Sequence, residues 1–216
     1  MPAPVLRVTD VHKSYGRHHV LRGVDLALAP GCLAGIVGEN GAGKSTLLRI
    51  LAGLLTPDRG SVTYPVGLGY CPQHTVLNPA LTVDQHLRLF QISYDLPDLA
   101  QAHELLDILN FSDYRRHRVA TLSGGTQQKL NLTLALMHDP PLLLLDEPYQ
   151  GFDWETYERF WDLAAILRDR GRSVLVVSHL AFDIARFDRL WHLEAGQLSH
   201  RAGQPVIAGS GTTAAG

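Results

Sequence analysis

The sequence predicts an α/β fold, with a parallel sheet, an N-terminal antiparallel β-subdomain and an inserted helical segment. Three short apolar runs, CLAGIV (32–37), LLLLD (142–146) and SVLVVS (173–178), suit strands buried on both faces of a parallel sheet. Segments of helical period alternate with them. Before the first run, VLRVTDV (5–11) and VLRGVDLAL (20–28) read as two strands, with SYGRHH turning between them.

The remaining elements follow in order. CLAGIV runs into a glycine-rich loop and then STLLRILAGLL (45–55), which is apolar at helical spacing. TPDRG (56–60) is a turn, followed by short strands over 61–64 and 66–71. From Thr82 to Phe111 the pattern becomes helical, as LTVDQHLRLFQISYDL and then DLAQAHELLDILNF. A further helix opens at LSGGT (122–126) and runs to about His138, so the helical subdomain spans about 78–138. Asp153 is placed to cap a helix over 154–170, which Gly171 ends. A helix over 180–186 and a hairpin, RLWHLEAGQLSH (189–200), complete a domain expected over 1–207. The tail 208–216, small and uncharged, predicts flexibility.

Composition narrows the function classes. With 216 residues and 45% of them hydrophobic, one large α/β domain can bury a sizeable core. A net charge of −2 supplies no basic excess to neutralise phosphates, so no nucleic-acid partner is expected. Cys32 and Cys71 have no metal-ligand spacing and read as buried, reduced thiols. No stretch approaches the roughly 20 apolar residues that span a bilayer, and the N-terminus lacks a signal pattern. Work at a membrane would need another chain to supply the span.

Two stretches carry phosphate chemistry. GENGAGKST (38–46) matches G-x-x-x-x-G-K-[ST] between a predicted strand and a predicted helix, the context that motif requires. Its glycines, Gly38, Gly41 and Gly43, with Asn40 among them, let backbone amides turn onto phosphates at a helix start. Lys44 then bridges the terminal phosphates, Ser45 ligates Mg²⁺ and Thr46 bonds a phosphate oxygen. Lysine occurs only at 13, 44 and 129 among 19 basic residues. Position 44 is where a compact ammonium fits a crowded cradle better than a planar guanidinium. Asp146, at the carboxyl end of a buried strand, can hold the Mg²⁺ shell, and Glu147 beside it can orient or deprotonate an attacking water. Gln73 and His179 also follow strands; Tyr15 is a candidate for stacking on a base. The second stretch, LSGGTQQKL (122–130), is another small-residue turn opening a helix, with Ser123, Gly124 and Gly125 at its start.

Together, the P-loop NTPase core and LSGGT resemble the nucleotide-binding domain of ABC transporters over roughly residues 5–200. The order is Tyr15, phosphate loop, Gln73, signature, Asp146–Glu147 and His179, and the signature is its specific part. The resemblance implies ATP and Mg²⁺ as cofactors, hydrolysis with Glu147, His179 and Gln73 in catalytic roles, and Mg²⁺ held by Ser45, Gln73 and Asp146. It also implies a second ATP-binding subunit, the same chain or a different one. Pairing head to tail, each signature would cap the nucleotide in the other subunit's phosphate loop, with Asp153 nearby. Separate transmembrane permease subunits would receive the motion, docking at His74–Leu81 and the helices to Phe111, with this chain at the cytoplasmic face of the membrane. Two positions depart from the family's pattern: Thr126 replaces a glutamine, and YQGFD (149–153) puts Gln150 where a serine is common. Export of a small molecule, lipid or peptide is the expected direction. The alternatives are a soluble ABC-type ATPase acting on ribosomes or DNA, which would need a paired domain, a coiled-coil insertion or a basic track, and a P-loop kinase, against which the signature argues.

Overall fold

The computed structural model describes residues 3–64, 67–74, 76–178 and 184–201. The chain opens with an antiparallel hairpin, β1 (Leu6–Tyr15) and β2 (His18–Leu28). It passes through β3 (Leu33–Val37) and α1 (Lys44–Leu51) to β4 (Arg59–Thr63), which returns to pair with the other edge of β1. Then come β5 (Leu68–Cys71), α2 (Val83–Ser93), α3 (Ala100–Ile108), α4 (Gly124–Leu136) and β6 (Leu142–Asp146). The last elements are α5 (Trp154–Asp169), β7 (Ser173–Ser178) and a second hairpin, β8 (Arg189–Glu194) with β9 (Gln197–Arg201). The main sheet runs β5-β6-β7-β3-β8-β9, parallel except for the β8/β9 pair.

That order sets the site. β3, which feeds the phosphate loop, and β6, which ends on Asp146, are separated only by β7. All three are buried along their whole length, as their unbroken apolar runs require. Their side chains alternate between two cores. Leu143, Leu145, Val174 and Val176 pack with α2 to α5, whereas Leu142, Leu144, Leu175 and Val177 pack with α1 and the antiparallel sheet.

Local chemistry fixes the helix ends. Thr82 and Gln85 form a reciprocal capping box at the start of α2. Asp153 caps α5, accepting the Thr156 amide at 2.9 Å, and the Gly171 and Arg172 amides close its far end on Arg168 and Leu167.

The boundaries differ from expectation by a residue or two at several elements, and by more in three places. α1 stops at Leu51 rather than Leu55, because the Gly53 and Leu54 amides turn back onto Ile50 and Arg49. The first hairpin is tighter than SYGRHH suggests, since Ser14 pairs with His19 and Tyr15 with His18. Of the helix expected over 180–186, residues 180–183 lie outside the described set, and Ile184–Arg186 form one 3₁₀ turn. The tail 208–216 also lies outside it. Among the described residues no helix is long and apolar enough to cross a membrane.

Candidate functional site

The loop from Gly38 to Gly43 leaves β3 and turns into α1 at Lys44. Gly43 has φ 102°, and a Cβ there would lie 2.9 Å from Val20 Cγ1 and 3.1 Å from the Val20 carbonyl oxygen. Backbone conformation and space both demand glycine. No side chain caps α1, so its first amides are left for an external acceptor. They border a cavity of about 440 Å³ lined by Asn40, Gly41, Gly43, Lys44, Ser45 and Thr46 from the loop and helix, together with Val20, Gln73, Asp146 and Glu147. Lys44 is buried, and its ammonium donates to the carbonyls of Gly38 at 2.7 Å and Glu39 at 2.9 Å. Burial pushes its pKa down, and the carboxylates of Glu147 and Asp146 oppose that shift.

Strand parity aims Asp146. It shares a face of β6 with Leu142 and Leu144, the face packed with α1, and the Ser45 hydroxyl acts on its carboxyl. Burial raises its pKa, the Ser45 hydroxyl lowers it, and Glu147 raises it further. Asp146 Oδ1 is buried with no hydrogen-bond partner among the described residues. An orphaned carboxylate oxygen beside a hydroxyl, with the Gln73 amide on the same cavity, is the donor set a hard divalent cation takes, so these residues fit Mg²⁺. Glu147 breaks the strand pattern: φ is 48°, and its amide reaches across to Val177 O at 3.0 Å. A non-glycine residue held in left-handed backbone at a buried carboxylate is strained at a point of chemistry.

The second helix start lies elsewhere. Ser123 caps α4, its Oγ accepting the Thr126 amide at 3.2 Å and lying 2.9 Å from Thr126 Oγ1. Thr126 is therefore engaged within its own turn. Gly124 has open space around it, while a Cβ on Gly125 would lie 2.2 Å from the Gly151 carbonyl oxygen. Ser123, Gly124 and Gly125 are absent from the described lining of the phosphate cavity.

Of the other expected site residues, Asp153 does not reach that cavity. Its carboxylate is occupied as the α5 cap, held below the usual carboxylate range first by the Thr156 amide, and Lys129 lies 3.6 Å away. Tyr15, at the end of β1, is half exposed and stands outside the cavity lining. His179 lies outside the described residues, but it follows Ser178, on the strand between β6 and β3.

Sequence reasoning missed Val20 and Lys129. Val20 reads as an ordinary strand residue, and only the fold lays its strand over the phosphate loop. Lys129 is buried in α4, with its ammonium 2.9 Å from Thr156 Oγ1, tying the signature helix to the start of α5. Its rarity as one of three lysines was a signal; its partner was not visible.

Comparison with known proteins agrees with this geometry. The family model for ABC transporters matches residues 21–150. The chain is 34% identical over 213 residues to Nod factor export ATP-binding protein I of Rhizobium meliloti, covering 91% of this chain and 64% of that protein. It is 39% identical over 186 residues to zinc import ATP-binding protein ZnuC of Alcanivorax borkumensis, covering 83% of this chain and 70% of that one. The chain thus spans a little under two thirds of the Nod factor relative's length. A solved dimer of an ATP-binding cassette in a post-hydrolysis state, bound to ADP and phosphate, superposes with a TM-score of 0.83 at 26% identity, covering 92% of this chain and 100% of that one. The chain belongs to the ABC transporter family, as an ATP-binding cassette.

Proposed function

We propose that this cassette hydrolyses ATP as the energy-coupling subunit of a transporter, closing on a second cassette with ATP and reopening after hydrolysis. The observation that carries the reading is the presence of two glycine-rich helix starts, of which only the one at Lys44 borders the described cavity. The start at Ser123 is left for a nucleotide held by a partner. Residues 1–207 would form the cassette, with 78–138 as its helical subdomain and 208–216 as a flexible tail.

Within one site, Lys44 and the α1 amides hold the β- and γ-phosphates, and Tyr15 stacks on the adenine. Ser45, Gln73 and Asp146 would hold Mg²⁺, which when bound neutralises charge on the β- and γ-oxygens. Glu147 orients the attacking water and takes its proton, and Gln73 and His179 are assigned catalytic roles with it. From the partner, Ser123, Gly124 and Gly125 cap the γ-phosphate, and Asp153 fixes the α5 start next to that turn.

The reading places the cassette at the cytoplasmic face of a membrane, with separate permease subunits. An apolar groove of about 530 Å³ runs past Leu54, Tyr70, Pro72, Gln73 and Val76, and Val76 is 90% exposed. Its position beside Gln73 suits a coupling segment from a permease. Export is the favoured direction, supported by the Nod factor export relative and opposed by the zinc import relative. ATP-driven accumulation inside inverted membrane vesicles would establish export; ATP-driven loss from them would establish import.

The test of cross-subunit pairing mixes a Ser123→Arg chain with a Lys44→Ala chain. If the signature serves the partner, each mixed homodimer has one site with both defects and one with neither. Mixing should restore ATP-dependent closure, read by cross-linking. No recovery, with mixed dimers shown to form, would overturn the reading.

A further inference from the structure

From Gln128 to Leu136 every residue of α4 is buried, yet two amide side chains stand in that run. Both turn toward the end of β5. Asn131 Nδ2 donates to the Pro72 carbonyl oxygen at 2.9 Å and lies 3.4 Å from both Cys71 Sγ and Gln128 Oε1. Gln128 Nε2 lies 3.8 Å from the same sulfur. Cys71 is fully buried, and burial pushes its thiol pKa up, so the sulfur stays a neutral partner.

The location gives the contact its meaning. β5 ends at Cys71, so the Pro72–Gln73 peptide lies beyond the sheet ladder. Gln73 is the next residue and lines the phosphate cavity with Asp146 and Glu147. Burying a primary amide in a helix is unfavourable unless its bonds are made. Here the strongest of them fixes the peptide that carries Gln73.

We propose that Asn131 is a positioning residue for Gln73: its side-chain amide ties the Pro72–Gln73 peptide to the signature helix and aims the Gln73 amide into the cavity. The proposal rests on the reading of Gln73 as a residue serving Mg²⁺ and the attacking water. A residue that merely filled the core would also bury Asn131, but its removal would act independently of Gln73.

The test compares Asn131→Ala, Asn131→Leu and Gln73→Ala in the full chain, with each Asn131 variant also built on Gln73→Ala. Leucine keeps most of the volume, so a packing defect in the alanine variant does not decide the outcome. Loss of one net hydrogen bond predicts a fall in kcat of about 5-fold to 10-fold, with KM for ATP within about 2-fold because Lys44 and the loop are untouched. On Gln73→Ala the same substitutions should have no further effect. In the nucleotide-free chain, hydrogen exchange at the amides of Gln73 and His74 should quicken about 5-fold, while β6 is unchanged. Equal losses with and without Gln73 would overturn the proposal, as would wild-type kcat and exchange in both Asn131 variants beside a slow Gln73→Ala. Wild-type turnover in Gln73→Ala itself would instead remove the reading of Gln73, and the positioning role with it.

Discussion

Two adjacent glycines at the start of α4 give opposite expectations for the same substitution. In Gly125→Ala the new Cβ would sit 2.2 Å from the Gly151 carbonyl oxygen, where ordinary contact begins at 3.4 Å. The signature turn must therefore retreat by roughly 1 Å from the loop after Glu147, and a misplacement of that size in a catalytic constellation costs about 10²-fold in rate. Overpacking of this kind also destabilises the fold by about 1–3 kcal/mol, so turnover must be measured well below the variant's own Tm. Gly124→Ala meets nothing within 4 Å in its own chain and should leave Tm unchanged or slightly raised. If Gly124 faces a partner's γ-phosphate, the methyl group still intrudes there, and turnover falls without loss of stability. Both variants should bind ATP with wild-type affinity by equilibrium titration at low protein concentration, because neither glycine borders the chain's own cavity. Wild-type turnover in both variants would refute the argument. A loss of ATP affinity matching the loss of turnover would place the signature in its own chain's site instead.

The other predictions concern the cavity itself. Glu147→Gln should bind ATP normally but hydrolyse it ~10²-fold or more slowly, trapping a dimer visible by size exclusion with ATP and Mg²⁺; turnover near wild type would sink the role. Lys44→Ala should weaken ATP binding by roughly 10-fold to 100-fold, the range for one buried charge-assisted bond, and Lys44→Arg should not restore it; an unchanged dissociation constant would tell against the assignment. Asp146 has a folded pKa above its unfolded value, so its favourable contribution is complete below the ordinary carboxylate pKa and is lost as pH rises through the folded one. At neutral pH, above the ordinary carboxylate pKa, the buried carboxyl opposes folding, and Asp146→Asn should raise the Tm of the nucleotide-free chain, by about 2–4 °C for each kcal/mol recovered, while weakening Mg²⁺-dependent ATP binding. A Tm difference that persists unchanged at pH 3 would show that the carboxylate's charge is not the cause.

How much of this was legible depended on whether the information was local. CLAGIV, LLLLD and SVLVVS announced buried parallel strands because nothing in them favours a solvated face, and all three are fully buried. The phosphate loop was legible for the same reason: its glycines, Lys44 and Ser45 act within nine residues of one another. Asp153 was read correctly as a cap, since an N-cap bond spans three residues. What could not be read was contact between distant segments. Val20 lines the cavity only because the hairpin folds over the loop, and Asn131 reaches Pro72 across 59 positions. α4 misleads in a further way. QQKLNLTLAL alternates polar and apolar residues as an exposed strand would, yet it is a helix buried nearly all round: Thr133 bonds back to the Lys129 carbonyl in the same helix, while Lys129 and Asn131 are satisfied by segments far away in sequence.

If the two helix starts act on different nucleotides, as proposed, the division of the core is what would let one chain do so. α1 belongs to the core shared with the antiparallel sheet, and α4 to the core shared with α2, α3 and α5. The central strands serve both, one face each, so the two helix starts are mounted on opposite sides of one rigid layer. Side chains of β6 and β7 that alternate in this way resist sliding, because a one-residue slip would exchange the two cores. Motion between the grips must therefore come from α4 and its neighbours shifting on the sheet, a small displacement of packed helices. The contacts that would report such a shift are polar and few: Lys129 to Thr156, Gly125 against Gly151, and Asn131 to Pro72. Each ends within a few residues of a group proposed to act on nucleotide. If α4 moves on ATP binding, amide exchange should change first at 73–74 and 150–154, while β3, β6 and β7 stay protected. Uniform protection across both sets, with ATP bound and closure shown by cross-linking, would mean that the cassette closes as a rigid body.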